Sequence, residues 1–208
     1  MRLPPARPLR RIAVWRDDAR CPVGREVRDA LDVAVGLLSD DGVEVDEARP
    51  TGVSLDIADE VARRLLAGAV ADRSSPLGAE FSGQSHEEWM RAHVLRSRMA
   101  AAWRRFFQDY DAVLLPVSPT TAIPHDARSF DERHILVDGV ERAYWDQIVW
   151  ACLTGIVHLP STVVPVRLDQ RGLPVGISIT GGFAQDLTTL ALAERLVGLV
   201  GSLGRPEV

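Results

Sequence analysis

No lysine occurs anywhere in the 208 residues; all 24 basic positions are arginine. An even share of an ordinary charged quarter would give about a dozen lysines. The absence reads as codon bias in a GC-rich genome, and its chemical consequence does not depend on the cause. This chain can supply no Schiff base, no phosphate-loop lysine and no lysine general base. Cysteine is scarce as well. Cys21 and Cys152 are too few for a disulfide framework and lack metal-ligand spacing, so they read as buried, idle thiols. Long apolar runs are missing: stretches such as 151–157 fall well short of a membrane span. Met1 is followed by a proline- and arginine-rich arm in place of a signal peptide's apolar stretch, so a cytoplasmic protein without a membrane partner is expected. No basic run with interleaved aromatics is present and the net charge is −5, which argues against nucleic acid as a partner. What remains is 46% hydrophobic and 25% charged, an ordinary soluble composition, long enough for one sizeable core.

Residues 1–11 read as an arm or linker, and 12–208 as the folded body. The run RIAVW (11–15) is a short strand candidate. Beyond it, Val27, Ala30, Leu31, Ala34 and Leu38 fall at helical spacing up to Gly42, and 43–50 alternates as a strand. Strand, helix, strand makes a βαβ unit with parallel strands. Between 52 and 72, Val53, Ile57, Val61, Leu65 and Ala69 recur every four residues, predicting a second helix broken near Gly68 and closed by RSSPLG. Ser85 with Glu88 has the form of a capping box, opening a helix whose Trp89, Ala92, Met99, Trp103, Phe106 and Phe107 form a packing stripe. His86 and His93 lie near one face of it, without a third ligand in view.

The stretch YDAVLLPVSPTTAIPHD (110–126) runs from an apolar strand, of the kind buried on both faces, into a tract with three prolines. Such density fixes φ and withholds donors, so the tract reads as an ordered, extended wall or loop and not a helix or central strand. Residues 143–154 read as a helix. Two β-rich runs, 161–168 and 173–180, are joined by the turn 169–172 and should pair antiparallel. Asp186 is placed to cap a last helix with Leu190, Ala193, Val197 and Val200 on one face.

A catalytic set does not emerge from spacing. GISIT (176–180) lacks the final glycine of a nucleophile elbow and sits inside a strand. Cys152 with His158 has no local feature that would activate a thiolate. The carboxylates are scattered, and no glycine-rich phosphate loop is present.

The order of segments is more informative. LPPARPLRRIAVW and the following helix and strand, then FFQDYDAVLLPVSPTTAIPHD, then LPSTVVPVRLDQRGLPVGISITGGFAQDLTTLALAERL resemble the C-terminal half of the amidase signature family. The resemblance implies an α/β fold, a mixed β-sheet flanked by helices. It implies hydrolysis of carboxamide C–N bonds with no metal or cofactor, by a serine nucleophile, a second serine on a cis peptide and a lysine as ultimate base. The family places that lysine and its Gly- and Ser-rich tract upstream of what residues 1–11 resemble, and neither occurs here. The expected function is thus the substrate-pocket portion of an amidase, inactive alone, whose partners are a small-molecule amide and the missing N-terminal half, with self-association of the isolated chain. A short non-catalytic binding or regulatory module derived from an amidase is the alternative. A third reading, an unrelated α/β binding domain, requires that the runs 161–168 and 173–180 not be neighbours. By resemblance at the level of segments, Pro119, Thr120, Pro124 and His125 in the tract, and Tyr144, Trp145, Ile148 and Trp150 on the following helix, are pocket candidates. No residue of this chain is assigned a catalytic role.

Overall fold

The computed structural model describes residues 3–70, 76–81 and 83–204. Strand β1 (Arg11–Val14) leads to α1 (Arg25–Asp40), whose buried residues are Val27, Ala30, Leu31, Ala34 and Leu38, the set at helical spacing. Gly42, at φ +84°, makes the left-handed stop beyond α1 that a side chain would strain. Strand β2 (Glu44–Glu47) then pairs parallel to β1, completing the βαβ unit. Helix α2 (Leu55–Val70), the short α3 (Pro76–Phe81) and the 24-residue α4 (His86–Asp109) follow. At the head of α4 the Ser85 side chain accepts from the Glu88 amide, and Glu88 accepts from that of Ser85.

Strand β3 (Val113–Pro116) is buried throughout and lies between β1, to which it is parallel, and β7 (Pro174–Thr180), to which it is antiparallel. Strand β6 (Ser161–Leu168) pairs antiparallel with β7, giving a five-stranded mixed sheet in the order β2-β1-β3-β7-β6. The two β-rich runs are therefore neighbours, which removes the unrelated-domain reading. A separate hairpin, β4 (His134–Val137) with β5 (Val140–Ala143), precedes α5 (Asp146–Gly155), and α6 (Asp186–Val200) closes the chain. Helices α1 and α6 pack together against the sheet, while α2 joins α4 and α5. One core cluster runs from Ile12 through Trp103 and Leu114 to Leu196. The arm is tied down through Arg7, whose Nη1 donates to the Phe107 and Tyr110 carbonyls at 2.6 and 2.7 Å at the end of α4.

Several local expectations are corrected. Helix α2 passes through Gly68 without a break. A Cβ there would stand 3.2 Å from the Trp89 indole, so the glycine makes room for a neighbouring helix and does not end its own. Residues 71–75, with the first part of the closing RSSPLG, lie outside the described residues, and Pro76 opens α3. The helix expected from 143 begins only at Asp146, because Val140–Ala143 is drawn into the hairpin; Tyr144 lies before it and Trp145 is its N-cap. Pro116 ends a central strand, facing only Ile177, where its missing N–H interrupts no second ladder. Asp186 is the first residue of α6 and not its cap, which is Gln185. The buried face of α6 is Thr188, Thr189, Leu192, Ala193 and Leu196, while Leu190 and Val197 are exposed. The helix is apolar nearly all round, so periodicity alone could not choose its face. Hydrogen bonds allow threonines inside: Thr189 Oγ1 accepts from Thr162 Oγ1 at 2.9 Å and Thr188 Oγ1 from the Arg7 amide at 3.1 Å.

Candidate functional site

At the carboxyl end of β3 the chain leaves the sheet as the proline-rich tract, and three other elements hold it. From the head of α1, the Gly24 amide donates to the Pro119 carbonyl at 2.8 Å. A Cβ on Gly24 would meet that oxygen at 3.2 Å, so the approach favours glycine. From α5, Gln147 accepts from Ser118 Oγ at 2.6 Å and donates to Thr120 Oγ1 at 2.9 Å. From the β6–β7 turn, Arg171 Nη2 donates to the Ala122 carbonyl at 2.6 Å and to Thr121 Oγ1 at 3.1 Å. Arg171 is itself held by Asp169 at 3.0 Å. Burial would push the Asp169 carboxyl up, but hydrogen bonds from the Leu173 and Arg171 amides and the Arg171 side chain prevail and hold it below its ordinary value. Further along, Arg128 engages Asp126 side-on through Nε and Nη2, at 3.0 and 2.6 Å, which takes that carboxyl down to about 2.

Between the tract and the β4–β5 hairpin lies a cleft of about 440 Å³, within the size range of small-ligand sites. Thr120, Pro124, His125 and Tyr144 meet there, with His134 and Arg171 added to the wall. Pro119 lines an adjoining recess against Gly24 and Val137. Ile148 is on the surface, whereas Trp145 and Trp150 are core residues. The Trp150 indole donates to the Cys21 carbonyl at 3.1 Å and packs edge-on against Trp15 at 5.6 Å. Trp145 Nε1 donates to Asp59 Oδ1 at 2.6 Å. The eight nominated residues thus divide into four at the cleft, one beside it, one at the surface and two beneath the wall.

Sequence reasoning missed what supports the wall from below. Asp59 and Asp146, both buried, share Arg20, whose guanidinium reaches them at 2.5 and 3.1 Å. Arg142 reaches Asp146 at 2.7 Å, and Arg63 adds an ion pair to Asp59 while lying 4.5 Å over the Trp145 ring. Nothing in a linear pattern joins residues 20, 59 and 146. The hairpin, by contrast, had a sequence signal. Asp138-Gly139 is a two-residue turn with both φ values positive, 48° and 84°, flanked by alternating residues.

Neither cysteine is an activated nucleophile. Burial pushes the Cys21 thiol up to about 12 and that of Cys152 up to about 11, so both are protonated, unreactive thiols. His158 Nε2 is 3.1 Å from Arg96 Nη1. His86 and His93 flank Trp89, with ring centroids 5.9 and 3.9 Å away. Among the described residues, no three His, Cys, Asp or Glu side chains are grouped to hold a metal ion. No described helix is long and apolar enough to cross a membrane.

A family model for amidases matches residues 57–190. The chain belongs to the amidase signature family. Its strand-turn-strand block and proline tract both fall inside the matched region. Among relatives of this amidase chain, an indoleacetamide hydrolase of Bradyrhizobium diazoefficiens is 38% identical over 108 residues, 50% of this chain and 19% of that protein. A fatty acid amide hydrolase of Arabidopsis thaliana is 29% identical over 132 residues, 62% of this chain and 21% of its own length. In structure, an amidase crystal structure superposes with a TM-score of 0.77 at 21% identity, covering 96% of this chain and 48% of that one. A bacterial aryl acylamidase of the amidase signature family gives 0.70 at 19% identity over 97% and 48%. These likenesses show the amidase signature fold, and the chain spans less than half the length of each of these proteins.

Proposed function

We propose that this chain is the C-terminal, substrate-pocket portion of an amidase that hydrolyses carboxamide C–N bonds, and that it is inactive by itself. The observation that carries the reading is the cleft walled by the proline tract, on a fold that matches 96% of this chain but 48% of an amidase. In this reading residues 1–11 are a connecting arm and 12–208 part of one cytoplasmic amidase domain. Thr120, Pro124, His125 and Tyr144 contact the acyl group of a small amide, with Pro119 and Ile148 at the margin and Trp145 and Trp150 backing the wall. A tract whose φ angles are fixed by proline and whose carbonyls and hydroxyls are already held loses little entropy when ligand binds. In this reading the N-terminal half of the family's fold carries the serines, the lysine and the oxyanion donors, and lysine-free residues 1–208 cannot supply that base.

Fluorophosphonate labelling of the purified chain tests the inactivity directly: no serine should be labelled and no amide cleaved. A labelled serine overturns the reading. The intact mass of the native gene product, captured from its source cells, separates it from the second reading. A species much heavier than 22.8 kDa, with lysine upstream, is expected. A native species at 22.8 kDa would favour the non-catalytic binding or regulatory module.

A further inference from the structure

The β4–β5 hairpin forms one wall of the cleft, yet neither of its strands pairs with the five-stranded sheet. A two-stranded hairpin is marginal by itself. Its place is therefore set by what its side chains reach. Along β4 the alternation puts Ile135 and Val137 inside, while Val140 and Glu141 of β5 are exposed. Polar ties stand at the two ends. At the base, Arg142 Nε donates to Asp146 Oδ2 at 2.7 Å and its Nη2 to the Arg20 carbonyl at 2.8 Å. At the tip, the two carboxylate oxygens of Asp138 accept from the Arg25 amide at 2.9 and 3.1 Å, and one of them also from Arg28 Nη2 at 3.0 Å.

Arg25 is the first residue of α1, and the N-cap of that helix is Gly24. Glycine has no side chain with which to accept from the first turn, and no side-chain cap bond is made from this position. The hairpin supplies the missing oxygen from 113 positions along the chain. A Cβ on Gly24 would stand 3.2 Å from the Pro119 carbonyl and 3.3 Å from Asp138 Oδ1, so the glycine leaves room for both. Tract and hairpin thus meet at one helix end, where the Gly24 amide goes to Pro119 and the Arg25 amide to Asp138. Turn chemistry explains the residue type only in part. A φ of 48° at 138 suits Asn, Asp or Gly. Of these, aspartate alone also brings negative charge to Arg28 and to the positive end of a helix.

We infer that Asp138 is the positioning residue of the cleft: it caps α1 from a distant part of the chain and, by the same contact, latches the hairpin against the proline tract. The two ties differ in strength, which gives the direction of motion. The side chains of Asp138 and Arg28 are 48% and 35% exposed, so water competes for their ion pair and it is worth little. Asp146 is only 4% exposed, and its pair with Arg142 is screened far less. The tip therefore releases first. The hairpin swings outward about Arg142 and carries Leu136 and Val137 away from Pro119, Thr120 and Thr121, which widens the cleft on that side. Burial of Val137 opposes this motion, so the latched state is the resting one. That this wall faces a substrate rests on the amidase reading, whereas the latch depends only on contacts within this chain.

Spin labels test the latch on the 208-residue chain. Val140 on the hairpin and Gln170 in the turn that holds the tract are exposed, and both native thiols are buried. Nitroxides attached through Val140→Cys and Gln170→Cys therefore report the separation of hairpin and turn. Asp138→Gly removes the carboxylate but keeps the turn, because glycine accepts a positive φ. It should lengthen and broaden the distance distribution, and speed amide exchange across 134–143 and at Arg25 by about tenfold, with exchange in β1, β3 and β7 unchanged. Asp138→Asn keeps an oxygen for the Arg25 amide and should restore the narrow distribution. Three results overturn the inference: an unchanged distribution in Asp138→Gly, exchange that rises across the whole chain in step with lost stability, or an Asp138→Asn chain as open as Asp138→Gly. Fluorophosphonate labelling and the native mass, which decide the amidase reading, do not enter these readouts, so either can fail while the other stands.

Discussion

Replacing Asp59 by alanine removes an acceptor shared by three donors: Arg20 Nη2 at 2.5 Å, Trp145 Nε1 at 2.6 Å and Arg63 Nε at 3.2 Å. The buried Trp145 N–H loses its acceptor, which costs about 1–3 kcal/mol. Breaking a fully buried ion pair by deleting one partner costs about 3–5 kcal/mol, but that figure is too large here. The Arg20 and Arg63 side chains keep 22% and 25% of their exposure, and Arg20 retains Asp146 at 3.1 Å, so water and the second carboxylate take up much of the released charge. Discounted for solvent screening, the charge loss is about 1 kcal/mol. The sum is about 2–4 kcal/mol, or a fall in Tm of about 5–15 °C for a chain of this size. Asp59→Asn keeps an oxygen for the indole and should cost roughly half as much or less. Urea unfolding followed by circular dichroism, at one fixed protein concentration, measures both. The reasoning fails if Asp59→Ala lies within about 0.5 kcal/mol of wild type, or if asparagine is as damaging as alanine.

Three other outcomes are expected. The Asp169 carboxyl titrates below its ordinary value in the folded chain. The unfolded chain therefore takes up this proton first as pH falls, and the stabilisation, complete above about pH 4, is lost through the folded value. Thermal melts of Asp169→Asn should show a shallower decline on the acid side than wild type; an identical decline would refute the assignment. Arg171→Ala frees the tract from the β6–β7 turn, so amide exchange across 120–126 should quicken by about tenfold while the Tm moves by less than about 2 °C. Unchanged exchange would mean that Gly24 and Gln147 hold the tract without help. With thiols displaced to about 12 and 11, Cys21 and Cys152 should resist a thiol reagent at about pH 8 in the folded chain and react at once in guanidinium. Rapid labelling of either native thiol would contradict their burial.

Sequence patterns identified the elements whose information is local. The buried face of α1, the capping box of α4, the βαβ unit and the β6–β7 pair could be read because spacing, a three-residue motif or a short turn encodes them within a few residues. The order of these segments, with the proline tract after a buried strand, also carried the family. Other features needed the packed molecule. Gly68 is a contact for Trp89, and a glycine in a helix does not announce which neighbour comes close. The face that α6 buries depends on β6 supplying Thr162 as a partner for Thr189, since an all-round apolar helix has no preferred side of its own. Of the eight pocket candidates, the four that share the cleft are brought together by the β4–β5 hairpin, while Trp145 is drawn inward to a carboxylate 86 positions away in the chain. The strand order β2-β1-β3-β7-β6 was likewise beyond the sequence, because it is a matter of which backbone groups find partners, and that is decided only when the sheet has assembled.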